Sequence, residues 1–138
     1  MSAVAAAPTF PLRTALATRL TGHASTSALQ WEPTGSPDSL PTGRIGPAFG
    51  AGEGTFTSEG AREMRQVDYW AADPQTAEEA LTKIVDAVMD GKLTVTGWTA
   101  VGEPRLVSYE VIDEPHGETG SVAYHAAARF EFTIYRAS

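Results

Sequence analysis

The chain has 138 residues, enough for one domain with its own hydrophobic core. It contains no cysteine, which excludes disulfides, thiolate metal sites and a thiol nucleophile. Ten basic and seventeen acidic residues give a formal charge of −7. A negatively charged protein repels the phosphate backbone, so we expect no specific nucleic-acid binding.

The N-terminal residues predict neither a leader nor an anchor. Met1–Ala7 is small and apolar, but it lacks a basic region, and Pro8 ends the run before a signal peptide could form. No apolar stretch approaches the roughly 20 residues that a membrane helix requires. We therefore expect a soluble protein that is made in a cytoplasm.

The first predicted element is a short amphipathic helix. It begins near Thr9, has Pro11 in its first turn and ends at Gly22. Its apolar residues recur at helical spacing and predict one buried stripe. They are Leu12, Ala15, Leu16 and Leu20.

Residues 23–60 predict one long irregular loop that is rich in Pro, Gly and Ser. A structureless segment of this length inside a compact domain is uncommon and tends to be functional or disordered. Trp31, Phe49 and Phe56 lie in this loop, where no core periodicity places them. Such aromatic residues either fill a gap in their own core or anchor a partner, so all three are candidate interface residues.

The next two elements are a strand and the clearest helix of the chain. Arg62–Trp70 alternates as a strand does. Asp73 then caps a helix, Pro74 occupies its first position and Gly91 closes it. Its apolar stripe predicts that it covers one face of a small sheet. The stripe consists of Leu81, Ile84, Val85 and Val88.

Three further strands are predicted after this helix. Leu93–Trp98 is short, and Arg105–Asp113 carries Val107, Tyr109 and Val111 on one face. The loop Glu114–Gly120 leads into a final strand, Ser121–Tyr135, and the last two strands form an antiparallel hairpin. The alternating run would span about 43 Å at about 3.3 Å per residue. Usual strands have about 3–10 residues, so this one either bends or reaches past its own domain.

This order predicts an α+β fold in a single domain over residues 1–138. We expect a mainly antiparallel sheet of about four strands, with two helices packed on one face and the long irregular loop after the first helix. Ala126 and Ala128 lie on the buried face of the last strand. Their small side chains predict close approach of the second helix.

No group of residues predicts catalysis, so we expect no enzyme, no metal and no cofactor. The glycines of Gly46–Gly54 lack the Lys-Ser/Thr ending of a phosphate-binding loop. The three histidines have no spacing that matches a metal motif. The acidic residues around His116 are explained by a solvated turn.

Nearly the whole chain resembles the tail terminator, or tail-completion, proteins of long-tailed bacteriophages and gene transfer agents. The resemblance rests on the pattern of five segments, and residues 30–60 are longer and richer in proline and glycine than is usual in that family. The five are the opening helix Pro11–Thr21, the strand ending in Val67–Ala71, the helical segment Ala77–Val88, the short strand Leu93–Trp98 and the closing hairpin that carries His125–Phe132.

The resemblance implies a virion structural protein of the tail or neck, assembled in the host bacterial cytoplasm. Members form a ring, usually a homohexamer, at the head-proximal end of the tail tube. The ring stops tube polymerisation and provides the joining surface for the head-tail connector or head-completion protein. Six copies at −7 each carry about −42, so DNA would pass through the lumen without specific binding.

The closing hairpin supplies the remaining candidate interface residues. They are Glu114, His116 and Glu118 of the loop, and Arg129 of the final strand. Two alternatives stay open. One is a small α+β ligand-binding or enzyme-like domain in which Trp70, Tyr109 and Tyr124 line a pocket, and the other is a different neck or head-completion protein.

Overall fold

The structure is a computed structural model that describes residues 9–31, 41–50, 60–100, 102–116 and 121–136. The described residues form two helices and five strands in an α+β fold, as predicted, and every pairing among these five strands is antiparallel. The elements in chain order are α1 (Thr9–Gly22), β1 (Thr42–Gly50), β2 (Gly60–Ala71), α2 (Pro74–Val88), β3 (Trp98–Ala100), β4 (Arg105–His116) and β5 (Ser121–Arg136).

β5 is the centre of the sheet. On one side it pairs with β2, from Tyr124 opposite Ala71 to Tyr135 opposite Gly60. On its other side it pairs first with β4 and then with β3. The length of β5 is therefore explained within the chain itself, because one edge of this strand pairs with both β4 and β3, which lie end to end.

The hydrophobic core lies between the helices and one face of the sheet. Ala126 and Ala128 are almost fully buried, and α2 packs over β5 and β2, as the small side chains predicted. Burial of each large aliphatic side chain contributes about 1.5–3 kcal/mol, so packing rather than helix propensity holds α2 in place. The buried residues of α2 are Ala77, Ala80, Leu81, Ile84, Ala87 and Val88.

Both ends of α2 are capped. The Asp73 side chain accepts a 2.8 Å hydrogen bond from the Thr76 backbone N–H at the first turn. At the other end, the Arg19 guanidinium of α1 donates to the carbonyls of Ala87 (2.9 Å) and Lys92 (3.0 Å). A cation at a helix C-terminus complements the helix dipole, so Arg19 also ties the two helices together.

The predicted loop over residues 23–60 is wrong at its centre, where β1 forms. Pro47 was expected to break any regular element there. It lies instead at a register shift between Ile45 and Ala48, in a strand that pairs only with β2 among the described strands. Proline is tolerated at such positions because no ladder hydrogen bond is needed from it.

Two other predicted boundaries were wrong. Residues 93–97 form no strand, since Gly97 turns the chain at φ +83° and strand pairing starts only at Trp98. Glu114 and His116 were expected in a loop, but their backbone belongs to β4. None of the described helices is long and apolar enough to cross a membrane.

Candidate assembly surfaces

The two faces of the sheet differ in character. Val67, Tyr69 and Ala71 alternate with Asp68 and Trp70 along β2, and the odd-numbered residues join the core beneath the helices. Neither described helix packs on the opposite face, called here the open face. Its side chains from β2 and β5 are mostly polar and interact with one another.

A chain of hydrogen bonds crosses the open face. His125 Nε2 lies 2.7 Å from Asp68 Oδ1, and Gln66 Nε2 donates to the same oxygen at 2.6 Å. Arg129 Nε in turn donates to Gln66 Oε1 at 2.8 Å. Asp68 is only 1% exposed. These partners supply the hydrogen bonds that a buried carboxylate requires.

Aromatic stacking extends this network toward β1. The Trp70 ring stacks on the His125 imidazole with centroids 4.4 Å apart and planes 15° apart. The Arg44 guanidinium carbon lies 5.0 Å from the centre of the Trp70 ring, at cation–π distance. Side-chain contacts on the open face thus connect β1, β2 and β5. The Asp68–His125 pair lies beneath neighbouring side chains.

A buried ion pair in β2 supports the irregular part of β1. Arg65 Nε donates to Glu63 Oε2 at 3.2 Å, and Arg65 Nη1 donates to the Gly46 carbonyl at 3.0 Å. Burial lowers the pKa of Arg65, and the neighbouring Glu63 opposes that shift. The carbonyl at the register shift beside Pro47 is satisfied in this way, so the irregularity is a supported feature of the fold.

The β4 edge carries exposed apolar side chains. Tyr109, which the sequence placed on one face of its strand with Val107 and Val111, is 66% exposed. It faces the helix side of the sheet, where it pairs with Ala128 but lies beyond the cover of α2. A register shift between Leu106 and Ser108 displaces Val107, so the predicted apolar face of this strand is not continuous. We call Val107, Tyr109, Ile112 and Val122, all exposed, the hairpin surface.

A groove of about 290 Å³ lies beside α1, and we call it the α1 groove. Its walls come from α1 and from the segment that follows α2. None of its lining residues is acidic. They are Pro11, Thr14, Ala15, Thr18, Arg19, Leu93, Thr94 and Thr96.

Among the predicted interface residues, Trp31 packs against its own chain. Its ring meets Tyr69 edge-on, with centroids 6.0 Å apart, and its Nε1 donates to the Thr26 carbonyl at 3.3 Å. Gly43 permits this contact, because an added Cβ would lie 2.7 Å from ring atoms of Trp31 and Tyr69. Trp31 therefore fills a gap in the core, and a role at an interface is still a prediction.

The other predicted interface residues are not brought into one cluster among the described residues. Arg129 is exposed on the open face and bonded to Gln66. Phe49 lies in β1, whereas Glu114 and His116 lie in β4, and the side chains of these three are outside the described set. Phe56 and Glu118 also lie outside the described residues.

Sequence reasoning missed the Asp68–His125 pair, since it compared the histidines only with the spacing of metal motifs. The signal that would have found the pair is the register of β2 against β5, which sets Trp70 opposite His125. Within the described ranges, no three His, Asp or Glu side chains are grouped so as to hold a metal ion.

The pocket of the alternative ligand-binding hypothesis is contradicted. Trp70 lies on the open face, opposite His125 in the register. Tyr124 packs against the helix-side core, and Tyr109 also faces that side. The sheet separates Trp70 from the two tyrosines, so the three side chains do not line one cavity.

Comparison with solved structures shows a likeness over most of the chain. No protein-family model and no curated protein matches this chain. Among solved structures, the chain is similar to a protein in the virion of a native gene transfer agent particle, with a TM-score of 0.68 and 15% sequence identity. The likeness covers 90% of this chain and 94% of that chain. At this identity the comparison shows that the two share a fold.

Proposed function

We propose that this protein is a virion structural protein that forms a ring, of six copies by the family resemblance, at the head-proximal end of a phage-like tail tube. There it ends tube polymerisation and offers the joining surface for the head. Its partners are further copies of itself, the tube protein and a head-tail connector or head-completion protein. DNA crosses the lumen without specific binding, and no cofactor takes part.

The observation that carries this proposal is the whole-length structural likeness. A protein from a gene transfer agent virion matches 90% of this chain in fold. The resemblance in sequence pattern to tail terminators reaches the same class of particle by an independent route. Fold alone does not fix function, so the surfaces of this chain must supply the rest of the argument.

The sheet edges favour assembly on one side. At the β1 edge, Pro47 removes a donor, and Trp31 bridges to Gly43, so part of that edge is already blocked. No described strand pairs with the outer side of β4, which bears the hairpin surface. A long edge with exposed apolar residues is a liability for a monomer and a ready contact for an assembly.

The proposal is tested with purified protein and with tail tubes assembled from the tube protein of the same genome. Multi-angle light scattering over a concentration series gives the mass, and negative-stain microscopy shows whether rings cap one end of each tube. Capping and shortened tubes are expected when the protein is present during polymerisation. Failure to bind tubes, together with binding to isolated heads, would instead indicate another neck or head-completion protein.

A further inference from the structure

We propose that the hairpin surface of one copy packs into the α1 groove of a second copy, so that subunits associate head to tail. This inference rests on the proposed function, because it names the contact by which copies form the ring. It is carried by three observations, namely exposed apolar side chains on the hairpin of β4 and β5, a groove beside α1, and acidic residues at the first place but not among those lining the second.

The hairpin surface is apolar and flanked by acids. Tyr109 is two-thirds exposed on one face of the β4 edge, and Ile112 is 42% exposed on the other. Glu110 and Asp113 interleave with them and are exposed. Arg105, the cation of this strand, lies near its start and bonds Glu131 of β5 at 3.1 Å. The part of β4 around Tyr109 therefore exposes an aromatic ring with the acidic side chains of Glu110 and Asp113 nearby in the strand.

The α1 groove has no acidic lining residue. Arg19 is its one charged lining residue, with its guanidinium bonded to the Ala87 and Lys92 carbonyls, and the exposed Lys92 side chain is next to Leu93 of the wall. In a chain of formal charge −7, such a region is a local exception. The neighbouring Asp90 is held by His23 Nε2 at 2.8 Å. Glu103 lines a separate narrow cleft that shares Leu93 with the groove.

The interior of the groove suits an apolar guest. Pro11, Ala15 and Leu93 contribute apolar atoms, and threonine side chains supply hydroxyls at the rim. The wall is firm, because Arg19 is fixed by the carbonyls at the end of α2. A groove that combines apolar atoms with hydroxyl groups fits the amphipathic side chain of a tyrosine.

The two surfaces cannot meet within one subunit. β5 pairs with the hairpin tip at Ser121–Ala123 and with β3 at Ile134–Arg136. The groove lies toward the latter end, since Leu12 and Leu93 adjoin Phe132 and Ile134. Tyr109 pairs with Ala128, six residues before Ile134, so at about 3.3 Å per residue roughly 20 Å of β5 separates it from the end beside the groove. Complementary patches at two separate places on one molecule produce a heterologous contact, which generates a ring when the rotation closes.

The test uses reversal of charge at exposed positions. The hairpin variant combines Glu110→Lys and Asp113→Lys, and the groove variant combines Thr18→Glu and Lys92→Glu. All four positions are exposed, so circular dichroism and thermal unfolding should match those of the wild type. A matched control, Glu78→Lys with Glu79→Lys, makes the same charge change as the hairpin variant on the exposed side of α2.

Sedimentation velocity should show self-association weakened at least tenfold in each reversed variant and unchanged in the control. In an equimolar mixture of the two variants, each hairpin meets a groove of opposite sign, so association should return to near the wild-type level. Rescue by mixing is not expected from a nonspecific loss of stability. It therefore identifies the pairing of these two surfaces.

Two outcomes would overturn the inference. One is equal association of the wild type and both reversed variants, which would mean that copies still associate but through a different contact. The other is a wild-type chain that stays monomeric up to its solubility limit. Tube capping by that monomer would still support the proposed function, so the two failures are distinguishable.

Discussion

His125 and Asp68 lie on neighbouring strands, with the imidazole Nε2 2.7 Å from a carboxylate oxygen that is almost completely buried. Asp68 also accepts from Gln66, so one carboxylate organises the open face. This pair joins β2 and β5 on the open face, so its removal should lower the stability of the protein by a predictable amount.

Asp68→Ala should destabilise the protein by about 1–3 kcal/mol, because it leaves polar groups of His125 and Gln66 without their acceptor. Urea unfolding followed by tryptophan fluorescence measures the change. Asp113→Ala, at an exposed position of the same sheet, should change stability by less than about 0.5 kcal/mol. Equal losses of unfolding free energy in the two variants would show that the buried network adds no more stability than an exposed side chain does.

The N-cap of α2 predicts a pH dependence. The backbone N–H and the hydroxyl of Thr76 donate to Asp73 and hold the pKa of its carboxyl below the usual value of 3.8. A depressed folded pKa stabilises the fold above the unfolded pKa, and this contribution disappears as pH falls through the folded pKa.

The melting temperature of Asp73→Ala should therefore lie below that of the wild type at neutral pH, with the difference shrinking below about pH 4. Asp73→Ser is the matched control, since serine caps a helix without titrating. As the pH falls below about 4, the melting temperature of the wild type should drop relative to that of Asp73→Ser, because only the carboxylate becomes protonated. Thermal unfolding followed by circular dichroism at stepped pH measures both differences.

Ala126 is buried beneath α2, and Ala126→Phe should destabilise the protein by about 1–3 kcal/mol through overpacking. Chemical unfolding measures this directly. Tyr109→Phe is the control, because that side chain is largely exposed and the substitution should be close to neutral. A stable Ala126→Phe variant would mean that α2 does not press on this part of β5.

Gly43→Ala should perturb the core around Trp31. The new methyl group would lie 2.7 Å from ring atoms of Trp31 and Tyr69, so these rings must shift. We expect a changed tryptophan emission maximum and a loss of about 1–3 kcal/mol. Gly22→Ala, where no atom lies within 4 Å of the added carbon, should be neutral or slightly stabilising.

Phe49 and Phe56 carry the remaining interface prediction. Replacing both with alanine should leave the thermal unfolding of the monomer unchanged and weaken assembly, if these aromatic residues anchor a partner. Light scattering and thermal unfolding are measured on the same samples. A lowered melting temperature with intact assembly would assign both residues to the core of their own chain.

The helices and long strands could be predicted from sequence because their signals are local. The stripe of α2, its Asp73 cap and the alternation of β5 each reside in one continuous segment. β1 was missed because Pro47 and its glycines resemble a loop, and the strand is stabilised by contacts distant in sequence, among them pairing with β2 and the hydrogen bond from the buried Arg65. The His125–Asp68 pair joins residues 57 positions apart, so no local pattern reports it.

The position of β5 also determines when the sheet can form. The last strand of the described chain is the centre of the sheet, with β2 on one side and β4 and β3 on the other. On the ribosome, β2 and β4 must wait with open edges until β5 has been synthesised, and contacts so distant in sequence form slowly. A chain interrupted before β5 contains both helices but only the β1–β2 pair on which to pack them. Truncated copies would therefore fail to complete the fold before they reach any assembly.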